Sequence, residues 1–169
     1  AAGSVGSLVG QIAKIKGCYV VGSTGTDEKA QWLRNEAGLD AVINYKTQDL
    51  AKALEAATPK GIDVYFENVG GAHLDAALPR MNLHGRIPVC GMISTYNGGG
   101  EGVTGLFNMI YKRIRMEGFV ATDFAHLNAQ FVSDMTGWLK SGRIKYQETI
   151  LDGFERAPEG LIGLFEGRN

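Results

Sequence analysis

The apolar positions of this chain alternate between two rhythms. Val5, Leu8, Val9, Ile12 and Ala13 recur at helical spacing and predict an amphipathic helix over 5–16. Gly17 stands where such a helix stops. A short unbroken apolar run follows at 18–23, of the kind found in a strand covered on both faces. The exchange then repeats. Asp27 reads as the N-cap of a helix through about residue 37, closed by Gly38. The pattern predicts strands over 41–45, 62–69, 86–92 and 116–121, and helices over 49–57, 72–81, 106–113 and 129–141. Thr58–Gly61 reads as a turn, Gly70 and Gly71 end a strand, residues 94–105 form a loop and Gly142 closes a helix. An isolated strand over 144–151 and a short helix over 157–166 follow. Repeated strand–helix alternation predicts an α/β protein with an open, mostly parallel sheet covered by helices on both faces.

Composition narrows the partners. The 169 residues carry a formal charge of −1 and are 44% apolar. That allows a real core and supplies no global field toward nucleic acid or an anionic membrane. No apolar run approaches the ~20 residues that span a bilayer, and no charged-then-apolar leader opens the sequence. Lys112, Arg113 and Arg115 read as a solvated helix face. Cys18 and Cys90 are too few for a disulfide scaffold and are not spaced as a zinc site. Each reads as a buried reduced thiol, which makes the cytoplasm the expected compartment. His73, His84 and His126 match no triad or metal spacing. Glycine, at 24 residues, is about twice its usual share and punctuates the joints between runs.

The first joint carries candidate chemistry. Ala1-Ala2-Gly3-Ser4-Val5-Gly6, with Gly10 beyond it, opens the first helix. It compares with the dinucleotide fingerprint G-x-G-x-x-G, with alanine in the first small position. Glycines there let a pyrophosphate approach the backbone, and free N–H groups at the helix start attract it. An NAD site places Asp or Glu at the end of the second strand, on the ribose hydroxyls. Here that strand ends Gly22-Ser23-Thr24-Gly25-Thr26, without a carboxylate, and Lys29 follows in the next helix's first turn. The helix dipole disfavours a cation at that place unless an anion docks beside it. The 2′-phosphate of NADPH is such an anion.

Six motifs then stand in order: Gly3–Gly6, Asp27–Lys29, Asn44–Lys46, Glu67–Gly71, Cys90–Asn97 and Gly167–Asn169. Together they resemble the zinc-independent medium-chain dehydrogenases/reductases. The resemblance is nearest to the prostaglandin reductases, plant 2-alkenal double-bond reductases and curcumin reductases, and it covers essentially the whole chain. It implies a Rossmann-type fold and an NADPH-dependent oxidoreductase that reduces the C=C bond of α,β-unsaturated aldehydes or ketones. By position, Gly3, Ser4, Val5 and Gly6 would hold the pyrophosphate, and Lys29 and Tyr45 the 2′-phosphate. Asn68 would contact the cofactor. Cys90, Gly91, Met92, Ile93, Ser94, Thr95 and Tyr96 would line the nicotinamide end, largely through backbone. Phe119, Val120 and Ala121 would flank the nicotinamide, and Asn169 would stand near its ribose. Tyr96 is the candidate catalytic residue, polarising the substrate oxygen or delivering a proton, and the tract Gly98–Gly100 suits a mobile loop. No metal is called for.

The resemblance also implies what lies outside the sequence. The family's first, central strand would precede Ala1, so the fold is expected to lack it. A substrate domain would precede it in turn. Residues 1–142 read as the NADP-binding domain and 143–169 as a segment returning to that substrate domain. On this reading the chain is a fragment, inactive by itself, whose intact form is a homodimer acting on a small enone or enal, with no nucleic-acid or membrane partner. An NADPH-dependent quinone reductase and a non-catalytic nucleotide-binding module are the alternatives. A methyltransferase would want the missing acid.

Overall fold

A computed structural model of the chain describes residues 1–96 and 102–167. It holds helices α1 (Ser4–Ile15), α2 (Asp27–Asn35), α3 (Leu50–Ala57), α4 (Gly71–Ala77), α5 (Asn108–Lys112), α6 (Asn128–Lys140) and α7 (Ala157–Glu166). The strands are β1 (Val21–Thr24), β2 (Ala41–Asn44), β3 (Ile62–Val64), β4 (Met81–Val89) and β5 (Arg115–Gly118). The alternation expected from the apolar rhythm is therefore present, as a Rossmann-type α/β arrangement. No helix among the described residues is long and apolar enough to cross a membrane.

The chain divides into two compact units. The first comprises Ala1–Val42 with the described part of Thr136–Asn169. Its core is Ala30, Leu33, Ala37, Leu39 and Val42, with Ala2, Val20 and Trp32 packed against it. β1 neighbours β2 in a two-stranded sheet. Close packing needs two glycines here. A Cβ on Gly22 would lie 2.7 Å from Leu39 and 2.8 Å from Ala1, and one on Gly10 would lie 3.2 Å from Leu39. Buried Gln11 ties the segment after α6 back to α1: its Nε2 donates to the Lys145 carbonyl at 2.9 Å, and its Oε1 accepts from the Lys145 N–H at 2.7 Å. Asp40 accepts from the Lys14 ammonium at 2.8 Å and from the Val20 N–H at 2.6 Å. Desolvation pushes its carboxyl up, but Lys14 and the Val20 N–H outweigh this and hold it below the ordinary carboxylate value.

The second unit, Ile43–Met135, holds a parallel sheet in the order β3-β4-β5. β5 is an outer strand of this sheet. Arg86, Ile87, Pro88 and Val89 pair in unbroken register with Arg115, Met116, Glu117 and Gly118. Against β3 the register slips, from Ile62↔Met81 to Val64↔Arg86. The slip accommodates a kink in which His84 takes φ +60°. Gly85 fits there because a Cβ would meet Met81 at 2.7 Å. Leu74, Leu78, Met81, Ile87 and Ile114 form the core, with Ile62, Tyr65, Val89 and Met116 against it.

Several expectations are corrected. Thr26, not Asp27, caps α2: its backbone is extended and its hydroxyl accepts the Lys29 N–H at 3.3 Å. Thr26→Ala should therefore cost about 1 kcal/mol, read as a lower urea midpoint of the full-length protein; an unchanged midpoint would remove this cap from the account. Both cysteines are exposed. The first strand begins only at Val21, past Cys18, and Cys90 lies just beyond the end of β4. Arg113 and Arg115 do not share a helix face, since Arg113 ends α5 in the left-handed region and Arg115 opens β5. The run 144–151 is not a strand. Tyr146 is 67% and Ile150 81% exposed: an apolar run needs a neighbouring edge to pair with, and no described strand pairs with it.

Candidate functional site

In the first unit two features suit an anion. α1 starts at Ser4, with Gly3 extended as its N-cap and no side-chain cap bond. The N–H groups of its first turn therefore have no acceptor inside the helix. Gly6 keeps this turn close to the preceding chain, where a Cβ would come within 2.9 Å of the Ala1 Cα. The second feature follows β1. The chain leaves the strand at Thr24, passes Gly25 and Thr26, and enters α2. Lys29, half-buried in the first turn of α2, donates from Nζ to the Gly167 carbonyl at 2.6 Å. Gly167 ends α7 at φ +70°, so the ammonium rests on a helix C-terminus, which favours a cation.

In the second unit the predicted residues gather at the C-terminal ends of β3 and β4, where ligands of open parallel sheets bind. Chain 67–70 and chain 90–94 are laced together. The Glu67 carbonyl accepts from Cys90 N–H at 2.9 Å and Gly91 N–H at 3.2 Å; the Asn68 carbonyl accepts from Ile93 N–H at 3.1 Å and the Val69 carbonyl from Ser94 N–H at 3.0 Å. The Ser94 hydroxyl also donates to the Val69 carbonyl. Residues 93–95 turn as a short 3₁₀ helix. Tyr96 is 61% exposed. Its hydroxyl oxygen accepts the Met92 N–H at 3.3 Å, which leaves its own O–H proton for another acceptor. A Cβ on Gly91 would reach within 2.9 Å of that oxygen, so only glycine leaves the phenol its place.

Phe119 stands edge-on between Phe66 and Phe124, at centroid distances of 6.1 and 5.7 Å. Val120 and Ala121 follow it, exposed, and the Val120 N–H donates to Asp123 at 3.1 Å. Tyr45, 40% exposed, takes the edge of His73 at 4.9 Å and 81°. Burial lowers the affinity of His73 for a proton, so the ring is neutral near pH 7, and its Nε2 is buried without a partner. Asn169 and the tract Gly98–Gly100 lie outside the described residues.

Two further residues of this unit have no role assigned from the sequence. His73 carried no spacing signal and gains its neighbour only through folding. Glu67 did leave a signal, a carboxylate within the apolar run 62–69. It is 0% exposed. Its Oε1 accepts the N–H groups of Val69 and, at 2.9 Å, Gly70. Oε2 is buried as well. Burial, then the charge of Glu67 and a hydrogen bond to its side chain, raise the Tyr65 phenol above its ordinary value and keep it protonated.

The chain is similar to known proteins in sequence and in fold. The chain is 53% identical over its full length to the 2-alkenal reductase (NADP(+)-dependent) of Nicotiana tabacum, half of which it covers. It superposes with a TM-score of 0.93, at 45% identity, on CurA from Vibrio vulnificus, solved in complex with NADPH, matching 100% of this chain and 52% of that one. Escherichia coli quinone oxidoreductase, also solved with NADPH, matches 88% of this chain and 45% of its own at 27% identity and a TM-score of 0.73. The chain thus spans about half the length of the curated relatives it matches. Among the described residues no three His, Cys, Asp or Glu side chains stand close enough to share a metal ion. Residues 4–137 match the model of the zinc-binding dehydrogenases, and the chain belongs to that family.

Proposed function

We propose that this chain is the NADPH-binding half of a zinc-independent reductase that saturates the C=C bond of α,β-unsaturated aldehydes or ketones. The observation that carries the reading is the joint after β1. No carboxylate stands between Thr24 and Thr26, and Lys29 projects a cation from the first turn of α2. A cation at that joint would suit a 2′-phosphate, and the carboxylate that usually holds a bare ribose is missing from it. Similarity to the tobacco alkenal reductase supports the substrate class.

The residues fit such a cofactor, since α1 opens with uncapped N–H groups. Gly3, Ser4, Val5 and Gly6 would hold its pyrophosphate, and Lys29 and Tyr45 its 2′-phosphate. Asn68 and the turn Cys90–Tyr96 would orient the nicotinamide end, with Phe119, Val120 and Ala121 flanking it and Asn169 near the ribose. When bound, NADPH supplies a hydride for the substrate β-carbon. The Tyr96 hydroxyl, free to donate, would hydrogen-bond the substrate carbonyl oxygen and stabilise the negative charge that grows there. The described residues hold no metal-ligand cluster, so none of them is assigned to zinc.

In this reading residues 1–142 form the cofactor domain and 143–169 lead back to a substrate domain supplied by the rest of the protein, in the cytoplasm. The chain alone would bind cofactor weakly and turn nothing over. The full protein would pair with a second copy through the edge of β5. The second reading, a quinone reductase, is supported by the likeness to the E. coli enzyme. Spectrophotometry of the full-length protein separates the two. NADPH oxidation should be rapid with an enone and slow with a quinone, and NADH should be the poorer reductant. Preference for the quinone would hand the assignment to the second reading. Cofactor binding without turnover of either substrate would make the protein a nucleotide-binding module.

A further inference from the structure

The chemistry above leaves Glu67 without a task. A carboxyl group removed from water is costly unless hydrogen bonds replace its hydration, and Glu67 is fully buried, with the Tyr65 phenol and two backbone N–H groups in place of water. Core packing alone does not call for an acid here. One oxygen shows what the group does instead. Oε1 gathers the N–H groups of Val69 and Gly70, folding the chain back on itself just after β3. The carbonyls of Glu67, Asn68 and Val69 on that bend are the acceptors for Cys90, Gly91, Ile93 and Ser94. The carboxylate therefore sets the shape of one turn, and that turn sets the position of the next.

We propose that Glu67 is a positioning residue: through Oε1 it sets the turns 67–70 and 90–96 in register for the nicotinamide end of the cofactor, without touching a reacting atom. The inference rests on the reading of those turns as the nicotinamide side. It predicts a selective effect. Adenosine 2′,5′-bisphosphate carries only the adenine end and its 2′-phosphate, so its binding does not depend on these turns. A residue that merely stabilises the fold would weaken both ligands alike.

The test uses the full-length protein. Glu67→Met is the variant of choice, because a side chain of similar volume often replaces a buried charge without unfolding the protein. Its affinity for NADPH should fall about tenfold and its kcat with an enone should fall as well. The bisphosphate should bind within about twofold of wild type. Glu67→Gln keeps an acceptor at the Oε1 position and should restore NADPH binding. Ser94→Ala, at an exposed position on the same joint, removes the hydroxyl's bond to Val69 and should shift the same ratio in the same direction by less. Glu67→Asp, which draws the carboxyl group back from the Val69 and Gly70 N–H groups, should shift the ratio as well and decides the matter should Glu67→Met not fold. Equal loss of both ligands, or loss of neither, overturns the proposal. Failure of the wild-type protein to bind NADPH strikes at the cofactor reading itself, and is seen before any variant is compared.

Discussion

Replacing Lys29 by alanine in the full-length protein should weaken NADPH binding roughly ten- to a hundredfold, the worth of a charge-assisted hydrogen bond, and leave NADH nearly unchanged. The asymmetry follows from what Lys29 would meet. It stands in the first turn of α2, where the helix dipole repels a cation. In the structure it relieves that repulsion by donating to the Gly167 carbonyl at 2.6 Å. A 2′-phosphate at this joint offers a full negative charge in place of a carbonyl dipole, and only NADPH carries one. Titration of the cofactor's nicotinamide fluorescence with wild type and variant reads both affinities. If NADPH and NADH weaken together, Lys29 serves only to cap α7, and the 2′-phosphate assignment is lost.

The second large effect belongs to Gly70. Its φ of +77° and ψ of −164° lie in a region open essentially to glycine alone. A Cβ there would also stand 3.0 Å from the Met92 terminal methyl and 3.2 Å from the Ser94 hydroxyl. The Met92 methyl ends a flexible side chain, but the backbone has no such freedom, because the Gly70 N–H is held by Glu67 at 2.9 Å. Gly70→Ala should cost on the order of 1–3 kcal/mol and disturb the turn it shares with Ser94. Gly102→Ala is the matched control. A Cβ there meets nothing within 4 Å, and the change should stay within about 0.5 kcal/mol. Urea unfolding of the two full-length variants compares them directly, and equal midpoints would remove the argument from backbone conformation.

His73 and Tyr45 show the limits of spacing as a guide. Nothing in the interval between residues 45 and 73 announces a pair, yet their rings meet edge to face at 4.9 Å. Tyr96 shows the reverse. The family resemblance gave it a task before any neighbour was known. The structure adds that Gly91 leaves room for the phenol and that Met92 holds its oxygen.

What the sequence determined by itself is the order of elements and the chemistry of the first joint. Helical and strand rhythms are local properties, so α1 and α6 lie within a residue of their expected bounds. The missing carboxylate after β1 and the lysine beyond it are facts of residue type that folding cannot change. What only the tertiary structure decided is everything that depends on a neighbour. The run 144–151 has the composition of a strand and pairs with none of the described strands. Cys18 and Cys90 sit in apolar stretches and are nonetheless exposed, because the chain enters β1 only after Cys18 and leaves β4 before Cys90. β4 begins five residues before its expected start, at Met81 rather than 86, because pairing with β3 extends it across the kink at His84. Glu67 is the sharpest case. A carboxylate in an apolar run can face solvent or be buried, and residue type does not distinguish the two. Burial of its side chain and the backbone N–H groups gathered on Oε1 arise only when the chain folds back after β3.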